Sequence, residues 1–113
     1  MENQNLNILE GEVKLWCNKL NTLLQANISP LFEKKVEFTI QKGKRYWKVV
    51  QSEIKENKTI HEHVHAFLEV GTGNVYKPAS WKAPAKHARF NIFQHNFLEC
   101  VSDPHGGYLY LNR

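Results

Sequence analysis

The feature that most constrains the fold is one amphipathic stripe near the N-terminus. Apolar residues recur there at steps of four and three, the spacing that brings side chains onto one face of a helix. The stripe consists of Leu9, Val13, Trp16, Leu20 and Leu24, and it is widened by Cys17 and Leu23. The spacing predicts a helix over residues 6–26, after a loose segment at residues 1–5. Pro30 is expected to mark its end, because the residue before a proline is pushed out of the helical region.

Strands are predicted after the helix, because the period of the apolar residues changes to two. The predicted strands are residues 36–41, 45–53, 61–70 and 75–77. Lys42-Gly43-Lys44 suits a tight turn between the first two strands, since glycine adopts positive φ freely. The charged and polar residues 52–59 predict a loop. Pro78 ends the fourth strand, because proline has no N–H to donate to a ladder.

The C-terminal third predicts a second helix. Proline suits the first turn of a helix, so Pro84 predicts a short helix over residues 84–94. Residues 97–101 either extend this helix or form a strand, residues 102–107 predict a turn and residues 108–111 a final strand. The elements together predict one α+β domain over residues 1–113. An N-terminal helix would pack on a mostly antiparallel sheet of four to five strands, with the second short helix after the fourth strand.

Charge and cysteine content indicate which binding partners and which cellular compartment to expect. The 113 residues carry a net charge of +4, and the pI is about 9.1, which favours anionic partners such as nucleotides or nucleic acid. Cys17 and Cys100 show neither CxxC nor zinc-ligand spacing, so two reduced core thiols in a cytosolic protein are expected. No signal peptide or membrane span is predicted. A chain of this size buries a modest core, which favours a homo-oligomer.

Three histidines at alternate positions, His61, His63 and His65, are candidate metal ligands. Residues two apart on a strand face the same side and lie roughly 7 Å from each other, so the three cannot all bind one ion. Two of them could do so with a residue from a neighbouring strand. The alternative is a polar strand face on which His61 and His63 are solvated and His65 has a separate role.

Catalytic motifs are missing from the sequence. GxSxG, Walker A and GxGxxG do not occur, and no catalytic residue is assigned. Two-histidine phosphodiesterases use paired HxT or HxS motifs, whereas His63-Val64-His65 lacks the hydroxyl residue and has no second copy. A binding protein without a cofactor is therefore favoured over an enzyme, and a metal-dependent phosphodiesterase is kept as an alternative.

The stretch from Val75 to Asn91, VYKPASWKAPAKHARFN, carries five basic groups and three aromatic rings, and it has no acidic residue. If a helix begins near Trp81, then Lys82, Lys86 and Arg89 share one of its faces. If it begins at Pro84, Lys82 lies just before its N-terminus, where free N–H groups also attract anions. Trp81 and Tyr76 suit the stacking of a nucleobase or the support of a cation. The alternative interpretation places Trp81 in the core and leaves the lysines on a solvated face.

Several of these motifs resemble a family of short proteins from tailed bacteriophages. The resemblance rests on VHAF at residues 64–67, TGNVYKPASWKAPAK at 72–86, AR at 88–89 and NI at 91–92, with KRYWKVV at 44–50 upstream. It covers roughly residues 44–92, and the ASWKAPAK core is its most specific part. The resemblance implies a phage gene expressed in the host bacterial cytoplasm, and it does not imply a reaction. Small accessory phage proteins of this kind act on host defences, signals, enzymes or nucleic acids.

The leading hypothesis is a phage accessory protein that captures a phosphorylated, base-containing ligand, with a nucleotide immune signal as the concrete candidate. Lys77, Lys82, Lys86 and Arg89 would hold phosphates, Trp81 and Tyr76 would stack a ring, and His65 would hydrogen-bond from the adjacent strand. A nucleic-acid-binding protein that uses the same patch is the second hypothesis. An inhibitor that docks on a host protein is the third.

Overall fold

The structure is a computed structural model that describes residues 2–26 and 35–110. Its elements, in chain order, are α1 (Glu2–Ala26), β1 (Lys35–Gln41), β2 (Tyr46–Lys55), β3 (Lys58–Glu69), β4 (Asn74–Tyr76), β5 (Phe90–Asn91), α2 (Phe97–Cys100) and a 3-10 helix (Gly107–Leu109). The predicted α+β class is confirmed. Helix α1 begins at Glu2, ahead of the predicted start at Leu6, and the predicted end at Pro30 lies outside the described residues.

The five strands form one sheet in which spatial order follows chain order. Each strand is antiparallel to the next, as short hairpin links require. The long β2–β3 hairpin is the centre of the sheet, and β4 and β5 add a short extension beside β3. Strand β1 is an edge, so one row of its backbone groups needs other partners.

Helix α1 supplies partners to that edge as well as a core. Asn21 accepts a hydrogen bond from the Phe38 N–H at 2.8 Å, and its amide nitrogen donates to the Phe38 carbonyl at 3.4 Å. One amide side chain therefore satisfies both backbone groups of an edge residue in β1. The Lys19 ammonium donates to the Leu98 carbonyl in α2. These bonds fix the helix against the sheet and against α2.

The core lies between α1 and the sheet. The predicted helical stripe is buried there, together with inward-facing strand residues and the C-terminal segment. The largest buried side chains of this core are Trp16, Tyr108, Phe97, Leu9, Leu20, Leu68 and Leu109. Burial of each large apolar side chain stabilises the fold by about 1.5–3 kcal/mol. Cys17 belongs to this core, and burial raises the pKa of its thiol to about 12. Cys100 is half-buried, and its thiol is free as well.

The predicted loop at residues 52–59 is wrong. Strands β2 and β3 continue through it, and Lys55 pairs with Lys58, so the hairpin turn consists of Glu56 and Asn57 alone. Both turn residues have positive φ, 53° and 64°, the conformation of a two-residue turn that matches strand twist. Residues 52–59 are rich in charged groups because this end of the hairpin is exposed to solvent. Such a composition does not distinguish a loop from an exposed strand.

Two predicted elements near the C-terminus are also wrong. Residues 84–94 form no helix; they pair back on residues 77–78 and then enter β5. Of the predicted final strand at residues 108–111, the described part lies in and directly after the 3-10 helix, and residue 111 lies outside the described residues. Gly106, at φ 86°, begins that 3-10 turn. Residues 97–100 are helical, which decides between the two interpretations of that segment.

The β2–β3 turn yields a stability test. An L-residue other than asparagine or glycine pays about 1–2 kcal/mol in the left-handed region. The double variant Glu56→Asn/Asn57→Gly should therefore raise the free energy of unfolding by about 1 kcal/mol and the Tm by several degrees. Urea titration and thermal unfolding measure both. Glu56→Gln removes the charge while keeping the backbone preference; an equal gain in that control would contradict the conformational explanation.

Candidate functional site

The basic-aromatic stretch forms an irregular hairpin instead of a helix. The N–H groups of Ala79 and Ser80 both donate to the Ala83 carbonyl, and the Ala85 N–H donates to the Lys77 carbonyl. An isolated bridge between Pro78 and Pro84 lies at its base. Because two prolines without N–H groups face each other there, neither helix nor regular strand can continue. Trp81 and Lys82 therefore lie at the tip of this hairpin.

That loop folds over the sheet face opposite α1. The Lys48 ammonium, on β2, lies 4.3 Å from the centre of the Trp81 ring and 5.9 Å from that of Phe67 on β3. Val50 and Phe67 are buried although they do not belong to the core packed against α1. The sheet is thus covered on both faces. Trp81 nevertheless keeps 40% of its surface exposed, so it does not belong to the core.

A cleft of about 300 Å³ lies beside Trp81, and we call it the Trp81 cleft. Its lining consists of Glu62, His63, Val64, Pro78, Ala79, Ser80 and Trp81. One wall is the outer part of β3 and the other is the loop tip. The Glu62 carboxylate accepts two long hydrogen bonds, from Gln41 at 3.4 Å and from Ser52 at 3.5 Å. It can accept shorter ones from a ligand N–H group. The cleft combines an aromatic ring, a carboxylate and a nearby ammonium group.

The predicted phosphate-binding cations do not converge on one helix face. Lys82 and Lys86 are exposed and form no ion pair with a residue that the structure describes. Lys77 is half-buried, and its ammonium lies 4.9 Å over the Tyr110 ring. Arg89 is half-buried, and its buried Nε has no hydrogen-bond partner among the described residues. Lys82 and Lys86 thus remain available to an anion near the loop, whereas Lys77 is directed at Tyr110.

Tyr76 belongs to an aromatic row next to the loop. Its ring meets Tyr46 edge-on at 6.1 Å between centroids, and Tyr46 meets Phe67 in the same way. The Tyr76 hydroxyl donates to Glu69 at 3.3 Å. The row links Tyr76 through Phe67 and Lys48 to Trp81. Because the Tyr76 ring is half-buried and its hydroxyl is engaged, we assign it to the support of the surface, not to stacking on a ligand.

His65 does not lie at this surface. Val49 pairs with Ala66 whereas Val50 pairs with Val64, so His65 is the extra residue of a β-bulge in β3. It is 7% exposed, and its ring packs edge-on against Phe38 and Trp16. His65 therefore points to the α1 side of the sheet, and a ligand in the Trp81 cleft would lie on the opposite side, out of reach of the predicted hydrogen bond.

The partner of His65 is the Tyr108 hydroxyl, 2.6 Å from Nε2. The same hydroxyl accepts a hydrogen bond from Trp16 Nε1 at 3.0 Å. Tyr108 therefore donates its proton to a neutral imidazole, and all three buried polar groups are satisfied. Burial lowers the pKa of His65 to about 4; the neighbouring Asp103 opposes this shift and His105 adds to it. The motif is a structural element of the core.

The other two candidate metal ligands are exposed. The rings of His61 and His63 stack with 6.5 Å between centroids, and His65 is separated from them by its burial. Among the described residues, no three side chains of the kinds that bind metals lie close enough together to hold an ion.

The sequence did not indicate two residues of this site: Glu62, which lines the cleft, and Lys48, which packs on the Trp81 ring. Lys48 and Glu62 lie on strands β2 and β3, far from the basic-aromatic stretch in the chain. The motif KRYWKVV predicted a strand with alternating faces, and this was the one indication that Lys48 lies on a face of the sheet. Its position over Trp81 depends on the path of the loop, and no sequence pattern specifies that path.

A family of unknown function (DUF7717) matches residues 1–111. The chain belongs to this family. The match extends well beyond residues 44–92, to α1 and to the C-terminal segment that closes the core. No curated protein and no solved structure matches the chain. Within the described residues, no helix combines the length and hydropathy that a membrane span requires.

The placement of Trp81 yields a spectroscopic test. Trp16 is fully buried and Trp47 is 5% exposed, so Trp81 should account for most of the tryptophan fluorescence that acrylamide quenches. Trp81→Phe is expected to lower the quenching constant severalfold while the circular dichroism spectrum stays the same. Equal quenching of the wild type and Trp81→Phe would show that Trp81 is not the exposed ring.

Burial of His65 predicts a specific loss of stability in acid. Its pKa is about 6.5 in the unfolded chain and about 4 in the folded protein, so the unfolded chain binds the proton first as pH falls. Stabilisation by neutral His65 is complete above pH 6.5 and is lost progressively toward pH 4, by on the order of 3 kcal/mol. Urea titrations at pH 7 and pH 4.5 measure the loss.

The matched variant is His65→Gln, which cannot titrate and can still accept a hydrogen bond from Tyr108. Other groups also titrate in acid, so the decisive quantity is the difference between the two pH dependences. His65→Gln should lose less stability than the wild type over this interval. Parallel curves for the two proteins would mean that His65 is protonated equally in the folded and unfolded states.

Proposed function

We propose that this protein is a phage accessory protein of the host bacterial cytoplasm that captures a phosphorylated, base-containing ligand at the Trp81 cleft, a nucleotide immune signal being the concrete candidate. The phage origin rests on the resemblance of the ASWKAPAK core and its flanking motifs. The ligand class rests on the chemistry of the cleft. Binding without a reaction accords with the absence of a catalytic motif from the sequence.

The observation that carries the proposal is the exposed Trp81 ring, held at the tip of a braced loop with the Lys48 ammonium 4.3 Å from its centre. A tryptophan in this position is already positioned by a cation–π contact, worth about 0.5–1 kcal/mol at an exposed site. Little ordering entropy would then be lost when a base stacks on it. Base stacking on an aromatic side chain contributes about 1–3 kcal/mol per base.

The remaining groups match the other parts of such a ligand. The Glu62 carboxylate in the cleft suits an N–H donor on a base edge, as when an acidic side chain accepts from the cytosine amino group. Lys82 and Lys86 are free to neutralise phosphate near the loop. The cleft volume of about 300 Å³ is at the small end for ligand sites, so a second copy in a homo-oligomer would help to enclose the ligand.

Binding of single-stranded nucleic acid is the second candidate, and the openness of this surface to solvent favours it. Trp81 and the exposed lysines lie on the outer surface of the loop that covers the sheet, where a polymer can pass without being enclosed. A strand bound there releases counterions, so its affinity falls linearly in a plot of log K against log salt, with a slope of about −0.7 per phosphate contact. A single nucleotide should show a shallower dependence.

The test is a titration of the full chain with purine and pyrimidine nucleotides, linear and cyclic, and with a labelled single-stranded oligonucleotide, at low and at raised salt. Trp81→Ala should weaken binding of the preferred ligand about tenfold or more, because it removes the stacking platform. Lys48→Ala should weaken it less, because this lysine acts through Trp81. Isothermal calorimetry and fluorescence anisotropy give the affinities.

Lys55→Ala is the matched control, because Lys55 is an exposed lysine at the far end of the same strand as Lys48. It lowers the net charge equally without touching the cleft. Equal effects of Lys55→Ala and Lys48→Ala would show that Lys48 contributes to binding only through the net charge of the protein, and not through its contact with Trp81. If none of the nucleotides and oligonucleotides binds at millimolar concentration, the proposed ligand class is wrong.

A further inference from the structure

A second surface, unrelated to the Trp81 cleft, lies where the start of α1 meets two strand turns. An open groove of about 880 Å³ runs there, and we call it the N-terminal groove. Its floor is formed by Leu9 and Trp47, which are almost fully buried. Its walls include Leu6, Ile8 and Phe93, all of them exposed. Ile8 and Phe93 are 57% and 51% exposed, so large apolar groups project into solvent on both sides of the groove.

Phe93 is positioned by local contacts despite its exposure. Its N–H donates to the Asn91 side chain at 2.9 Å, and the Asn91 amide donates to the Thr72 carbonyl at 2.9 Å. The ring packs on the backbone of Gly73, where a Cβ atom would approach it to 2.7 Å. Gly73 also has a φ of +79°, which other residues rarely adopt. An exposed phenylalanine fixed by so many local contacts loses little side-chain entropy when a partner covers it.

A further exposed apolar side chain lies on α1 past the groove, beyond Gly11 and Glu12. Leu15 lies two turns after Ile8 on the helix and is 50% exposed. Between them, Glu12 lines a smaller cleft of about 260 Å³ with Phe93 and Leu98. Leu15 is therefore separated from the groove by the half-buried Glu12 carboxylate. A small molecule on the floor of the groove would leave much of Ile8 and Phe93 exposed, whereas a macromolecular partner can cover both side chains.

The charges at the groove are basic. Its described lining includes Lys42 and Lys44 and no carboxylate. Lys42 is paired with Glu10 at 3.0 Å and lies over the Trp47 ring. Lys44 is exposed and forms no ion pair with any described residue. An isologous dimer through this groove would bring lysines of two copies toward each other, which disfavours a second copy as the occupant.

We infer that the N-terminal groove docks an acidic amphipathic helix of a partner protein. Apolar side chains of that helix, at positions i, i+3, i+4 and i+7, would fill the groove between Ile8 and Phe93. Carboxylates beside them would meet Lys44. Phe93 and Ile8 would be the central anchors, since rigid, deeply covered aromatic and aliphatic groups dominate interface energies.

The probe is a labelled synthetic helix with leucine and phenylalanine at the four anchor positions and glutamate at most others. A second peptide keeps the same apolar stripe and carries lysine in place of glutamate. Fluorescence anisotropy with the full chain measures both affinities, and analytical ultracentrifugation measures the oligomeric state of the free protein. The variants are Phe93→Ala, Lys44→Glu and two controls at the distant hairpin end, Ile60→Ala and Lys55→Glu.

The expected result is binding of the acidic peptide and at least about tenfold weaker binding of the basic one. Phe93→Ala and Lys44→Glu should each lower the affinity for the acidic peptide about tenfold or more. The two control variants should change that affinity less than about twofold. Lys44→Glu changes an exposed side chain, so it tests the docking surface even if Phe93→Ala unfolds the protein.

Three outcomes overturn the inference. Equal affinity for the two peptides would show that the groove does not distinguish an acidic peptide from a basic one. Failure of either peptide to bind at millimolar concentration would show that it is no helix-docking site. A wild-type dimer that Phe93→Ala converts to monomer would show that a second copy of this chain occupies the groove. None of these outcomes depends on the Trp81 cleft.

Discussion

The structure depends on a buried hydrogen-bonded chain from Trp16 through Tyr108 to His65. It joins the helix, the C-terminal segment and the central strand at the middle of the core. Each of the three groups would be costly to bury alone, because an unpaired polar group in the interior loses its bonds to water without replacement. Together they satisfy one another, so the chain fixes the position of α1 over the sheet and holds the 3-10 helix beneath it. The aromatic contacts of Trp16 and Phe38 with the His65 ring add packing to this polar link.

The opposite face of the sheet is organised by a different interaction. There the loop at residues 77–89 folds back, and one ammonium group, that of Lys48, contacts both Phe67 below it and Trp81 above it. The loop shields the second apolar side of the sheet and, at its tip, presents an aromatic ring to solvent. The same packing that completes the fold therefore positions the proposed stacking platform. A small domain can build a binding surface in this way without a deep pocket.

The two proposed surfaces differ in chemistry. The Trp81 cleft combines a ring and a carboxylate, and exposed lysines lie on the same loop, which suits a polar ligand with a flat base. The N-terminal groove is larger and mainly apolar, with a basic rim, which suits a partner helix. They involve different elements: the cleft uses the outer part of β3 and the loop, whereas the groove uses the start of α1 and the turns that flank β2 and β4.

The sequence by itself determined α1, the alternating strands and the α+β class, because periods of 3.6 and 2 report directly which side chains face a core. It also indicated Trp81, Lys82 and Lys86, which the structure leaves accessible. Only the tertiary structure decided the rest. The bulge and Tyr108 made His65 a core residue, the Pro78–Pro84 bridge replaced the expected helix, and Glu56 adopted a turn that its residue type disfavours. These outcomes depend on contacts between residues far apart in the chain, whose free energies exceed the small local preferences that a sequence pattern records.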